Sequence, residues 1–403
     1  VSNYTTVRDL HKDILLRSGE VQDTNSDFYQ RSLTYLNRAN LAVLAGSNEL
    51  GMEVGEPWPW AKTASPAVLN LVVPYETGTA TVTNSSTAVT LSDPPSYSLL
   101  GYHMKIPGRQ EFFKVTAHTA SNPSVTLDSI YTDESGTMPM IFYKMEYALA
   151  SGILRLITPM RIYRLQSFDT DNTGHVDHIA LDTLYQDYPM HLLRRTLPTK
   201  FAQVYRDQIG TVTIRFNWVT EKQVRLEYEY IPIPKTLRSL SLTDASINTT
   251  TETITFTNHG LSNDELVQIT NEDGALPTGL AEDTNYYVIS AAANTFKLSS
   301  TLGGIAVDIT AATGGGTHYV SNIPLMPLEH RVILAYAASY YLMVDKEDSK
   351  SAEMKQLAMA GFQSLVAAFK RERIQIGRYH MGRLVPRLEQ QSAHRRFFTQ
   401  EVT

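Results

Sequence analysis

The stretch from Asp169 to His178, DTDNTGHVDH, crowds potential metal ligands into ten residues. Asp169, Asp171, Thr173, Gly174 and Asp177 match the early spacing of a calcium loop, in which alternating oxygens wrap one hard cation. Such a loop takes a bidentate glutamate at its twelfth position, and that position here is Ala180. The expectation is a polar surface loop, not a metal site. His175 and His178 lie three apart, but the chain has no cysteine and no HExxH stretch, so zinc lacks a recognisable ligand set. Glu49, Glu53 and Glu56 cluster before Trp58. Paired carboxylates across a cleft are the equipment of a glycosidase, and solvation of a helix end is the simpler reading. The chain contains no GxxxxGK, GxGxxG or GxSxG. TGGGTH (Thr313 to His318) is rich in glycine but lacks a following lysine and helix, which suits a hairpin turn. These signs name no catalytic residue, no cofactor and no metal, and the expectation is that the protein is not an enzyme.

Charge offers a better lead. The 403-residue chain carries a formal charge of −6, which by itself gives nucleic-acid binding no support. Yet Lys370, Arg371, Arg373, Arg378, Arg383, Arg387, Arg395 and Arg396 are opposed over residues 370–396 by Glu372 and Glu389 alone. The apolar residues there, Tyr379, Met381, Leu384, Leu388, Phe397 and Phe398, are too sparse to make a core. Gly377 and Gly382 weaken a helix and Pro386 stops one. Such a segment can lie free, bind phosphates, or fold against a partner. Arginine favours the last, because its planar fork pairs with carboxylates and stacks on rings.

The elements that position these residues follow from periodicity. Residues 5–17 place Val7, Leu10, Ile14 and Leu15 on one side of a helix, with Arg8, Asp9, Lys12 and Asp13 around them. A second amphipathic segment runs from Asp27 to Leu44, and EPWPWAK ends the helical region. From about Ala67 to Lys144 the texture becomes short, alternating and β-branched, as in TATVTNSSTAVTL and FFKVTAH. A helix is expected over Tyr147 to Leu156. Strands follow at 199–231, where Val224, Leu226, Tyr228 and Tyr230 alternate with Arg225, Glu227 and Glu229. Residues 236–320 form a second β-rich stretch, and helices return at Glu329 to Val344 and Ser351 to Ile374. No run of 18 apolar residues occurs, so no membrane span is expected, and VSNYTTVRDLHKD has no signal-like apolar stretch. The expected fold is α+β and multidomain: a helical bundle core carrying two inserted β-barrel or β-sandwich modules, with an extended C-terminal tail. Its expected parts are N-terminal bundle helices (1–62), a first β module (63–145), a central helix and strand region (146–235), an inserted β module (236–322), C-terminal bundle helices (323–375) and the basic tail (376–403).

Several phrases in this order resemble the head-to-tail adaptor proteins of short-tailed bacteriophages, also called tail accessory or gatekeeper proteins. They are LTYLNRANLAVLAGSNELG followed by EPWPWA, the strand phrase GTATVTNSSTAVTL, VRLEYEYIPIPKTL, and IPLMPLEHRVILAYAASYYLMVDKEDSKSAEMKQLAMAGFQSLVAAFKRE. Residues 236–320, with HGLSNDELVQI, TNYYVI and NTFKLSS, resemble an Ig-like module found inserted in many phage virion proteins. The resemblance spans most of the chain and is weakest over 160–200. It implies a structural role in the neck or tail of the virion, assembled in the bacterial cytoplasm. About twelve copies would form a ring below the portal protein. The ring would extend the channel through which genomic DNA passes without sequence-specific binding, and would dock tail nozzle, hub or fibre-bearing proteins. It also implies that the tail reaches the portal through Arg378, Tyr379, Arg383, Leu384, Arg387, Leu388, Arg395, Arg396, Phe397 and Phe398. Two other readings stand beside it: a glycan-binding virion or tail component, which usually shows long β repeats, and a tail-associated cell-wall hydrolase, which needs a cleft with a perturbed carboxylate pair.

Overall fold

The computed structural model describes residues 5–20, 27–55, 58–164, 173–189, 193–312 and 314–370. Of these, 31 % are in strands and 23 % in helices. The expected helical bundle core is therefore overturned, and the protein is mostly β. Two compact units divide the chain: Val1–Glu56 with Pro234–Thr403, and Pro57–Ile233. The helices are α1 (Val7–Arg17), α2 (Asp27–Ala45), the short α3 (Leu181–Asp187), α4 (Val332–Asp345) and α5 (351–370).

The physical reason for the correction lies in residues 146–232. The segment expected as a helix, Tyr147 to Leu156, forms strands Glu146–Ala148 and Ile153–Leu156 instead. Gly152 between them sits at φ +73°, a left-handed turn that glycine adopts without steric cost. Tyr147 and Leu149 are buried while Ala148 is exposed, which is a period of two, not 3.6. Seven strands then form one sheet in the order 67–71, 224–228, 160–164, 173–178, 200–206, 212–216, 146–148. All neighbours are antiparallel except 173–178 with 200–206, and α3 lies in the crossover between those two. The alternation in VRLEY is realised: Val224, Leu226 and Tyr228 are buried and Arg225 is exposed. This sheet buries its own cluster, including Tyr147, Ile162, Phe201, Ile214, Phe216 and Leu226.

The same unit contains a second seven-stranded sheet, in the order 136–138, 80–82, 88–91, 124–127, 112–118, 103–105, 141–143. Its cluster includes Val82, Val89, Met104, Val115, Val125 and Phe142.

In the other unit a third seven-stranded sheet runs 239–242, 317–322, 266–272, 285–289, 295–299, 253–255, 247–248. It is built around Ile254, Val267, Ile269, Val288, Phe296 and Val320. Two loops of this sheet touch where Thr278 N donates to Ala311 O and Thr310 N to Thr278 O. Gly279, at φ +107°, lies in that contact, and a Cβ on it would overlap the Asp308 carbonyl oxygen. Gly279→Ala should therefore destabilise the protein by at least about 2 kcal/mol, through both strain and overlap. A urea titration showing a change under about 0.5 kcal/mol would contradict that packing.

Helices α1, α2 and α4 pack together beside this third sheet. Thr6 caps α1 in a reciprocal box, its Oγ accepting from Asp9 N while Asp9 Oδ2 accepts from Thr6 N at 2.8 Å. Such a box satisfies two donors that a helix start leaves free. Arg31 of α2 pairs with Asp345 of α4 at 2.8 Å, and Tyr35 stacks on Tyr341 at 6.1 Å. Among the described residues no helix is long and apolar enough to cross a membrane.

Candidate functional site

Three polar clusters lie where a layer of mostly apolar packing would be expected. The first joins α1 to the third sheet. Arg8 is 2 % exposed. Its Nη2 donates to both carboxylate oxygens of Glu272, at 3.1 and 3.0 Å, and its Nη1 to the Tyr29 hydroxyl at 3.1 Å. The guanidinium also lies over the Tyr319 ring, 3.7 Å from its centre, a cation–π contact strengthened by desolvation. Lys12, one turn on along α1, forms a second ion pair with Glu272. Partial burial alone would raise the Glu272 pKa, but Lys12 and Arg8 outweigh it and hold the carboxyl below its usual range. Helical periodicity places Arg8 among the polar surroundings of α1, so its burial is not legible in the sequence. The partner that buries it is 264 residues away.

The second cluster lies between α1 and α2. His11 Nε2 is 2.5 Å from Ser32 Oγ and 3.1 Å from the Tyr29 carbonyl oxygen, to which Ser32 also donates at 2.8 Å. A serine against an imidazole has the parts of a nucleophile and its base. Here both side chains are fully buried, His11 Nδ1 has no partner to orient it, and burial, aided by Arg8, lowers the imidazole pKa to about 3. The pair ties two helices together.

The third cluster surrounds Arg215, which is fully buried. Its Nη2 donates to the Tyr188 carbonyl at 2.8 Å and its guanidinium lies 4.5 Å from the Tyr185 ring centre. Nε and Nη1 find no hydrogen-bond partner, and burial lowers its pKa. Nearby, His103 stacks on Tyr143 at 5.6 Å. Burial drives His103 down to about 4 and Tyr143 up to about 12. Lys114 and Glu146 pair at 3.1 Å, linking the second sheet to the first. This is a joint between two sheets, in which Lys114 is paired with Glu146 while His103 and Tyr143 are held in their uncharged forms.

Two surface grooves accompany these clusters. One, of about 540 Å³, runs between α2 and the strand entering the third sheet, lined by Tyr29, Leu33, Asn37, Leu237, Ser239 and Phe256. Asn37, in its lining, ties its two walls together, its side chain donating to Leu237 O at 3.0 Å and accepting from Leu237 N at 2.7 Å. The other, of about 360 Å³, lies between Gly51, Glu53 and the α5 residues Phe362, Val366 and Lys370. Neither is lined by a histidine or by two carboxylates, so neither brings an acid–base pair to a substrate.

The residues singled out from sequence fall as follows. Asp169 and Asp171 lie outside the described residues. Gly174, His175, Asp177 and His178 belong to strand Thr173–His178. Asp177 pairs with Lys200 at 2.8 Å, and the His178 ring packs on Phe201 at 5.3 Å. Among the described residues no group of three or more His, Asp or Glu side chains is arranged to hold a metal ion. Glu49 pairs with Arg38 at 2.5 Å, Glu53 borders the smaller groove, and Glu56 lies outside the described residues. Every tail residue expected at the portal, Arg378, Tyr379, Arg383, Leu384, Arg387, Leu388, Arg395, Arg396, Phe397 and Phe398, also lies outside them. No protein-family model matches the chain, and no curated protein matches it.

Proposed function

We propose that this protein is a structural head-to-tail adaptor of a short-tailed phage, a ring subunit below the portal that prolongs the DNA channel and receives tail components. The observation that carries the reading is the order of its sequence phrases: the helix leading to EPWPWA, the strand phrase GTATVTNSSTAVTL, VRLEYEYIPIP, and the closing IPLMPLEHRVILAYAASYYLMVD. The fold agrees with a scaffold role in one respect. Three sheets each bury a separate cluster, which suits a chain built of several rigid parts. The clusters with chemical potential are spent on internal joints. A closed ring is what a head-to-tail interface produces when its rotation closes.

The test is to mix purified chain with the portal protein and image the product. Rings seated on the portal are the expected result. Removing residues 376–403 should keep the folded body and its helical signal while weakening attachment at least tenfold, and Arg378, Arg383 and Arg387 changed together to glutamate should do the same. Unchanged attachment of the truncated chain from low to moderate salt would remove the tail from the docking role. Absence of any ring would remove the adaptor reading. Release of labelled cell-wall fragments by the pure chain, lost in Glu53→Gln, would replace it with the hydrolase reading.

A further inference from the structure

We infer that residues 80–143 and 247–322 are two copies of one β module, carried twice by the same chain. The inference does not depend on the adaptor reading. It rests on strand order, register and hydrogen bonds.

Six strands in each copy follow the same spatial path. In the first copy the path is 80–82, 88–91, 124–127, 112–118, 103–105, 141–143, and in the second 247–248, 253–255, 295–299, 285–289, 266–272, 317–322. In chain order both read first, second, fifth, fourth, third, last. Every joint between neighbours is antiparallel in both.

Register makes the match specific, because a slip of one residue would exchange the buried and exposed faces. Val82 pairs with Val89, and Ile247 with Ile254. Val89 pairs with Val125, and Ile254 with Phe296. Val115 pairs with Leu127, and Val288 with Leu298. Met104 faces Phe113, and Val267 faces Tyr286. Met104 also faces Phe142, and Val267 faces Asn322. One set of equivalences satisfies all five joints at these pairs, and the first copy alone adds a bulge between Val115 and Ala117. Apart from Asn322, which bonds Glu265 and the Thr236 carbonyl, the matched positions are apolar and buried in both copies.

Irregular features recur at the same places. In the first copy Gly101 N donates to Val115 O at 3.0 Å and Val115 N to Tyr102 O at 2.8 Å. In the second, Asp264 N donates to Val288 O at 2.8 Å and Val288 N to Glu265 O at 2.9 Å. Gly101 and Asp264 both have positive φ, +77° and +65°, an unusual conformation for a residue with a side chain. Leu91 N donates to Pro123 O, and Phe256 N to Asn294 O, at the same step.

The copies differ where each is fitted to its surroundings. Met104 and Phe113 are nine positions apart, but Val267 and Tyr286 are nineteen. The longer connection begins at Glu272, the residue clasped by Arg8 and Lys12 of α1. Counting along the matched strand, Glu272 corresponds to Arg109, which instead pairs with Asp133 inside its own module. The seventh strand differs as well: 136–138 joins 80–82, whereas 239–242 joins 317–322. One module closes on itself at this end, and the other gives the same end to a helix. The longer connection, 273–284, itself bonds the 308–315 loop of its own module, Thr278 N donating to Ala311 O, so the contact with α1 is made by the end of the strand and not by the added residues.

The experiment exchanges a hairpin within the full-length chain. Residues 112–127 are replaced by 285–298, and in a control by 200–216, a hairpin of similar length from the central sheet. The cognate chimera should unfold cooperatively with a midpoint within about 5 °C of the parent, and keep slow hydrogen exchange at Gly101 N–H. The control should lose that protection. Loss of protection in the cognate chimera, or equal acceptance of both hairpins, would overturn the equivalence. An experimental structure of the parent gives an independent check: the five paired joints above must hold, and an offset of one residue at any of them sinks the inference.

Discussion

Lowering the pH from 7 to about 4.5 should cost the protein on the order of 5 kcal/mol of stability, a loss that begins well above the range in which ordinary carboxylates titrate. The cause is two histidines buried in their neutral form. Burial brings His11 to about 3 and His103 to about 4, against about 6.5 in an unfolded chain. Between those limits the unfolded state binds protons that the folded state refuses. Stability is therefore complete above about pH 6.5 and declines as pH falls, by up to about 1.4 kcal/mol per unit for each site, or roughly 3 kcal/mol each by pH 4.5. His11 belongs to the unit with the helices and His103 to the other, so both units should weaken. Urea titrations across this range provide the measurement, and His11→Gln and His103→Phe should each remove about half the slope. A midpoint that stays flat from pH 7 to 4.5 would show that both imidazoles are hydrated.

Cutting the clasp at Glu272 should have the next largest effect, and an asymmetric one. Glu272→Ala leaves the Arg8 guanidinium buried without its counter-ion. Breaking a buried pair in this way costs about 3–5 kcal/mol, and since Glu272 is 33 % exposed the expected value is near the lower end, about 3 kcal/mol. Arg8→Met removes the buried charge itself, keeps apolar contact with Tyr29 and Tyr319, and leaves Glu272 paired with Lys12, so it should cost under about 1.5 kcal/mol. Equal losses in the two variants would mean that the pair is solvated. The lowered pKa of Glu272 gives the clasp its own pH window. Its contribution is present above the normal glutamate range and fades as pH drops through the lowered value.

Much of the chain's organisation is legible because it depends on local pattern. The helices at both ends show apolar spacing near 3.6. The strands at 199–231 show alternation strong enough to assign the buried face of VRLEY correctly. The middle misleads for a physical reason. EYALASGILRL contains good helix formers, and propensity is a weak prior once a sheet edge nearby offers paired hydrogen bonds and a buried face. Gly152 is the cue that helical propensity overrules. The polar joints are illegible because each is completed by residues distant in sequence. Arg8 looks like a surface residue of an amphipathic helix until Glu272 and Tyr319 arrive from the far end of the chain. Likewise His103 and Arg215 belong to different stretches, and no spacing rule links them. The duplication is hidden for a similar reason: strand order and register persist while side chains and loop lengths change.

The ends of the sheets bear on how this protein behaves when crowded. In the second sheet the outermost strands, 136–138 and 141–143, are three residues each. In the third, 239–242 and 247–248 have four and two. Strands this short offer too few free amides and carbonyls to template pairing with another molecule. The central sheet is less guarded. Its outer strand Ala67–Leu71 is five residues long, carries no charge, and shows Val68 at 44 % exposure. During expression or refolding at high concentration, that strand is the natural seed for intermolecular β-pairing, and a lysine at Val68 is the gatekeeper the native sequence leaves out.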